Sequence, residues 1–272
     1  MGYATLHSAF HWEDTEHFLP PRGKNFLITD TLGANGDFLL YHFLTTFLKP
    51  TSVNTRVVLV GFSQIFNHYN LVARKLGVNL TAAKTSGRFK FVDGLTGLSS
   101  GKIPAPPTTV LPTTPELVLG PLSPENTLES LLGQLEGLVS SEEAGQTCLI
   151  YDDVSVLLNL GVSVRELQRF MQASRLLMEK NGGTLVSLVH SDQALLEDPE
   201  QESLVKLLMY QTAYILQVKA LGSGYSKEVN GQVALIRGPS CRDSRFIPQV
   251  LQYKTLDNNV QFFARGFSEG VL

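Results

Sequence analysis

Cysteine is nearly absent: Cys148 and Cys241 are the only two in the chain. Two thiols build no disulfide framework, and Cys148, inside an apolar run, reads as a small core residue. With no paired C-x-x-C and no H-E-x-x-H, the common zinc spacings are missing, so metal chemistry has little support. No stretch approaches 18 uninterrupted apolar residues, so no helical membrane span is expected. The N-terminus holds His7, His11, Trp12, Glu13, Asp14 and Glu16 where a secretory leader needs an apolar stretch, so no leader is expected either. Charge is sparse at 17%, with a net of −3. Its distribution is uneven. Residues 91–160 carry nine acids and one base, Lys102, whereas residues 217–254 carry six bases and two acids. Such asymmetry fits a charged partner surface, with a solvated face as the plainer explanation.

What is present is ample apolar material. At 272 residues and 43% hydrophobic content the chain suits one large domain or two small ones. The most informative stretch runs from Phe26 to Phe38. Phe26 to Ile28 reads as a buried strand, a turn with Gly33 and Gly36 follows, and a helix begins at Asp37. Strand, glycine turn and helix form the context of a Walker A phosphate loop, G-x-x-x-x-G-K-[ST]. With Gly36 as the second glycine, Thr31 stands for the first, Asp37 for the lysine and Phe38 for the magnesium-binding hydroxyl. A charge about 5 Å from a phosphate is worth roughly 3 kcal/mol at an effective dielectric of about 20. Reversing its sign makes the difference about 6 kcal/mol, against about 1 kcal/mol offered by helix-start amides. No productive ATP is expected here. The plain alternative is an ordinary βα turn with a helix-capping Asp.

Along the chain, residues 1–22 read as an arm that ends at Pro20-Pro21. Residues 23–272 read as a single domain with a proline-rich insert at 99–124, which holds seven of the 13 prolines. Strands are expected at Phe26–Thr29, Arg56–Phe62, Phe89–Val92, Thr147–Tyr151 and Thr184–Val189. Helices are expected at Asp37–Leu48, from a Ser63 cap to Leu76, from a Ser123-Pro124-Glu125 start to about Val139, at Val164–Lys180 with Ser163 as its cap, and near Glu200–Met209. From Ala213 the pattern becomes antiparallel. Tyr214–Val218 is expected to pair with Val233–Arg237 around Asn230-Gly231 or the loop Gly222–Lys227, and Val250–Lys254 with Val260–Ala264. Continuous apolar strands between helices imply a buried parallel sheet. The expected fold is therefore α/β: a RecA-like three-layer fold with a mainly parallel central sheet and C-terminal antiparallel hairpins. Rossmann-like and flavodoxin-like layouts remain open.

Three further groups carry candidate chemistry. Cys148 to Asp153 matches a Walker B strand, in which Asp152 would hold magnesium through water and Asp153 would polarise the attacking water. With the lysine missing, the pair reads mainly as a relic or as a cap for the next helix. His190-Ser191-Asp192 has triad residue types, but neighbours on a strand point to opposite faces, so loop-forming polarity is the simpler reading. Lys219, Tyr225, Lys227, Arg237, Arg242 and Arg245 place bases and an aromatic in and near flexible turns, which suits phosphate contact and base stacking with a nucleic acid. A solvated hairpin explains them as well.

Gly36-Asp-Phe-Leu-Leu-Tyr-His-Phe-Leu44, Phe66-Asn-His-Tyr-Asn-Leu-Val-Ala-Arg-Lys-Leu-Gly-Val78 and Tyr151-Asp-Asp-Val-Ser-Val-Leu-Leu-Asn-Leu-Gly161 closely resemble the family of the sixth subunit of the eukaryotic Elongator complex. The likeness continues through Leu185–Asp192, the Gly224–Gly231 region and Phe262–Phe267, and covers most of the chain from about Asn25. It implies a RecA-like fold without intact Walker motifs. It implies a ring with the fourth and fifth Elongator subunits, two copies of each, which binds tRNA and serves carboxymethylation of wobble uridine 34. It also implies that acetyl-CoA, S-adenosylmethionine and the iron–sulfur cluster belong to another subunit, leaving this chain no catalytic residue, no metal and no cofactor. Gly33, Gly36, Asp37, Asp152 and Asp153 would then be relic positions. The implied compartment is the cytoplasm, with the nucleus as a second location. The competing readings are a divergent RecA-type ATPase that keeps nucleotide through Asp152 and the Gly33–Gly36 turn, and a stand-alone nucleic-acid-binding module.

Overall fold

The apolar runs form the middle of a ten-stranded sheet. The structure is a computed structural model that describes residues 4–12, 18–49, 54–99, 117–118, 128–140, 145–192, 198–222, 224, 226 and 228–264. In chain order the elements are α1 (Ala4–Ala9), β1 (Lys24–Asp30), α2 (Asp37–Leu48), β2 (Thr55–Gly61), α3 (Phe66–Lys75), α4 (Leu80–Thr85), β3 (Phe89–Asp93) and α5 (Gly94–Ser99). There follow β4 (Leu117–Val118), α6 (Leu128–Val139), β5 (Gln146–Asp152), α7 (Val154–Asn159), α8 (Val164–Lys180), β6 (Thr184–His190) and α9 (Pro199–Gln211). Strands β7 (Tyr214–Lys219), β8 (Gly231–Arg237), β9 (Gln249–Leu256) and β10 (Asn259–Ala264) complete the chain.

The strand order is β10-β9-β8-β7-β1-β6-β5-β2-β3-β4. Every pair from β7 to β4 is parallel, and β7 to β10 are antiparallel. A strand covered on both faces must be apolar on both, which is why the central strands read as continuous runs. Phe26, Ile28, Val57, Leu59, Cys148 and Ile150 enter the core on the α1–α4 face. Leu27, Val58, Val60, Leu149 and Tyr151 alternate with them into the core under α6 to α9. Helix α2 has ten buried residues of twelve, as its apolar sequence demands. Helix α8 instead shows one apolar stripe, and its capping box between Ser163 and Glu166 stands where the sequence placed it.

Some expectations are corrected. Ser63 does not cap α3. That helix starts at Phe66, and the Ser63 hydroxyl donates to Asp152 instead. Short helices α4, α5 and α7 had no expected counterpart, because six residues hold too little periodicity to read. The 99–124 stretch is not loop throughout, since Leu117–Val118 adds to β3 as a parallel edge strand. The Ser123-Pro124-Glu125 start lies outside the described residues. Asn230-Gly231 is not the hairpin turn: Lys219 already pairs with Gln232, so residues 220–230 connect the strands. The arm residues Leu6, Phe10, Trp12 and Leu19 are buried in the core. Trp12 stacks on His42, with ring centroids 5.7 Å apart, and meets Phe26 edge-on.

Candidate functional site

In a parallel sheet the loops that follow the strands gather at one edge. Strand β6 lies between β1 and β5. The acids ending β1 and following β5 therefore flank the residue that ends β6. His190 fills that place. Its Nδ1 is 2.5 Å from Asp30 Oδ1 and its Nε2 is 2.8 Å from Asp153 Oδ2. Hydrogen bonds to Asp153 first, and to Asp30 second, raise the imidazole from 6.5 to about 10. At neutral pH the ring is a cation between two buried carboxylates. The backbone of the same residue is held too: its N–H donates to Ser155 Oγ at 2.9 Å, and its carbonyl accepts from Gln201 Nε2 at 2.5 Å. Reading His190 as loop polarity is thus corrected, because it is the hub of the edge. Asp30 went unnoticed in the sequence. Strand order, which the sequence does not print, is the signal that would have found both.

The glycine turn is closed by its own chain. Thr31 and Ala34 exchange two backbone hydrogen bonds, of 3.3 and 2.9 Å. The Leu32 N–H donates to both carboxylate oxygens of Asp192, at 2.9 and 3.1 Å. The Gly36 N–H donates to Asp30 Oδ2 at 2.8 Å, and the Asp37 N–H to Asn35 Oδ1 at 2.6 Å. These amides are the donors a phosphate loop would aim at its ligand; those of Leu32, Gly36 and Asp37 already serve side chains, and those of Thr31 and Ala34 serve backbone carbonyls. Gly36 does not make room for a phosphate either. A Cβ there would stand 2.9 Å from Ile28 Cγ2, 3.1 Å from Asp30 Cβ and 3.2 Å from Leu188 Cδ1, so the glycine lets α2 approach the sheet. A Cβ at Gly33 would meet only Ala220, at 3.5 Å. Asp37 is not the helix cap. It is the first residue of α2, with Gly36 before it, and its carboxylate accepts from Asn35 Nδ2 at 3.1 Å. Burial, opposed by that bond, raises the Asp37 carboxyl.

Asp152 and Asp153 play separate parts. Asp153 caps α7 by accepting the Ser155 N–H at 2.8 Å, as the capping alternative had it. Asp152 points toward α3, where its Oδ2 accepts from Ser63 Oγ at 3.0 Å and from the Tyr69 hydroxyl. Burial pushes its carboxyl up to about 7 against those two donors. A half-protonated, buried carboxyl is a poor anchor for hydrated magnesium. Among the described residues, no group of three or more His, Cys, Asp or Glu side chains could hold a metal ion. The six tRNA candidates are divided. Lys219 ends β7 at the glycine-turn edge. Arg237 pairs with Tyr214 at the other end of the same strand, and there its guanidinium donates to the carbonyls of Asp243 and Phe246, both at 2.7 Å. Arg242 and Arg245 lie in the loop it pins. Tyr225 and Lys227 lie outside the described residues.

The sheet order and the strand-end acids reproduce the frame of a nucleotide-binding domain with other chemistry in it, and the comparisons with known proteins agree. The solved KaiC-like protein PH0186 of Pyrococcus horikoshii superposes with a TM-score of 0.58 at 10% identity, over 89% of this chain and 90% of that one. An uncharacterized protein of the same organism, PH0321, crystallised with an unknown peptide, gives 0.64 at 17% identity over 94% and 99%. At such identities the likeness concerns fold alone, and that fold is RecA-like. The family profile described as Elongation complex protein 6 matches residues 5–257. Elongator complex protein 6 of Xenopus tropicalis is 37% identical over 92% of this chain and 94% of its own length. The human protein of that name is 35% identical, again over 92% and 94%. This chain belongs to the Elongator complex protein 6 family. Membership extends through residues 5–12, so the family pattern includes buried parts of the arm. Within the family frame, the closed glycine turn and the His190 hub are what this chain places where a RecA-like enzyme holds nucleotide.

Proposed function

We propose that this chain is a non-catalytic, RecA-like ring subunit of the Elongator complex, standing beside the fourth and fifth subunits and supporting tRNA binding for modification of wobble uridine 34. The observation that carries the non-catalytic part is the occupied turn, in which Asp192, Asp30 and Asn35 accept the amides that would hold phosphates. A triphosphate would have to displace these acceptors and approach the carboxylates of Asp37, Asp30 and Asp192, where the His190 cation is already paired with Asp30 and Asp153. Family membership and the RecA-like frame favour assembly through heterologous contacts that close a ring. The compartment proposed is the cytoplasm, with the nucleus as a second location.

Co-expression with the fourth and fifth subunits, followed by native mass spectrometry, should give a species with two copies of each. Failure of the three chains to associate would refute the ring. Calorimetric titration of the isolated chain with Mg-ATP should give no heat of binding up to millimolar nucleotide. Micromolar binding that Asp152→Ala abolishes would instead favour a divergent ATPase.

A further inference from the structure

The two edges of the parallel sheet carry opposite charge. The edge after the strands holds Asp30, Asp37, Asp93, Asp153, Asp192 and Asp198, the last as the N-cap of α9, against Lys219 and the His190 cation. The edge before the strands is basic. Arg22 and Lys24 enter β1, Lys49 is the C-cap of α2 in front of β2, Lys180 ends α8 in front of β6, and Arg242 lies in the loop after β8. Arg22, Lys49, Lys180 and Arg242 are exposed, and Lys24 is half-buried. Arg22 lies beside Gly182 of the α8–β6 turn, and the Gly23 N–H donates to the Gly183 carbonyl at 2.8 Å. Tyr210, the penultimate residue of α9, stands 72% exposed among them. It precedes Gln211, whose carbonyl accepts from Asn25 at 2.9 Å beside Lys24.

Bases at helix C-termini also complement the helix dipole. That explains Lys49 and Lys180, but not Arg22, Lys24 or Arg242, which end no helix. The carboxylates Glu179 and Asp243 at this edge lie against Arg175 and Arg245. Glu136, near the end of α6, marks where the stripe weakens at β5. Residues 38–92, which supply Lys49 and the start of β2 and β3, contain seven bases and no acid.

We infer that this basic edge, opposite the glycine turn, takes the phosphodiester backbone of an RNA, with Tyr210 stacking on a base. From β8 to β2 the stripe crosses five strand spacings, about 24 Å at about 4.8 Å each. That length matches several successive phosphates. Lys and Arg spaced along a track with one bare aromatic is the chemistry of sequence-tolerant RNA contact. An acidic protein partner would more commonly bring apolar anchors to the centre of its interface. The inference rests on the tRNA part of the reading above. It differs from it in naming a surface, and it separates Arg242 from Lys219 on the far edge.

Fluorescence anisotropy with a labelled tRNA transcript, across a salt series, tests it on the full chain and on its assembly with the ring subunits. The quadruple variant Arg22→Glu, Lys49→Glu, Lys180→Glu, Arg242→Glu should bind at least about ten-fold more weakly at 0.1 M salt. It should also flatten the slope of log K against log salt by about 3. Tyr210→Ala should weaken binding roughly five-fold with the slope unchanged. The charge-preserving set R22K, K49R, K180R and R242K should bind as wild type, and thermal melts of all variants should coincide. Wild-type affinity and slope in the quadruple variant would overturn the inference while leaving the ring untouched. So would an equal loss in the far-edge variant Lys219→Glu. A quadruple variant that keeps RNA but loses its protein partners would reassign the edge to protein docking. No RNA binding by the wild-type assembly would overturn this inference and the tRNA reading together.

Discussion

His190, at the end of β6, holds together Asp30 and Asp153, two buried carboxylates that would otherwise repel. Asp30 is 1% exposed and Asp153 3%, so removal of the cation leaves two carboxylates in low dielectric. His190→Ala should cost on the order of 3 kcal/mol in urea unfolding at pH 7, and a loss under about 0.5 kcal/mol would show that water already compensates them. The pH dependence follows from the signs. The folded imidazole titrates near 10 and the unfolded one near 6.5. Its contribution is therefore complete below 6.5 and is lost as pH rises through about 10. The side chain is 44% exposed, so solvent screening reduces the magnitude. Asp152 acts in the same direction at lower pH. Its folded carboxyl holds a proton up to about 7, while the unfolded one releases it near 3.8, so stability falls as pH rises through that interval. Unfolding free energy should decline from pH 5 to pH 9. Asp152→Asn, which keeps the neutral shape, should remove the lower part of the decline and raise Tm at pH 8 by about 2–4 °C.

The β1–turn–α2 unit shows how one element can keep the shape of a phosphate loop for a packing reason. Gly36 is required because α2, apolar nearly all round, lies close over β1 and β6. Gly36→Ala forces its methyl against Ile28 and Leu188 and should cost about 1–3 kcal/mol, measured as a lower urea midpoint with an unchanged m-value. A change below about 0.3 kcal/mol would mean that α2 can shift and that the close approach is incidental. This turn was legible in the sequence as a shape, and its missing lysine was legible as chemistry. Its closure was not. The acceptor for Leu32 is Asp192, 160 residues away, and hydrogen bonds between loops of distant strands leave no local pattern.

In the whole molecule, the first residues belong to the core despite their polar reading. Trp12 is 1% exposed and touches Phe10, Phe26, His42 and Phe43. His42, fully buried, is held neutral by desolvation, which moves it well below 6.5. Trp12→Ala should therefore cost about 3–5 kcal/mol. A loss under about 1 kcal/mol in chemical unfolding would show that the segment docks without stabilising the sheet. The acids scattered among residues 1–20 hid this, because Leu6, Phe10, Trp12 and Leu19 follow no single period and their partners lie on other elements.

Periodicity and end signals are local, so the order of the longer strands and helices, the Ser163 cap, the parallel-then-antiparallel change at Ala213 and the missing lysine were all determined by the sequence alone. The family likeness rode on the same contiguous blocks. Strand neighbourhood is not local: it depends on which apolar faces pack, across separations of a hundred residues or more. Only the tertiary structure therefore decided that β6 enters between β1 and β5, that His190 thereby meets Asp30 and Asp153, and that one edge of the sheet is mainly acidic and the other mainly basic.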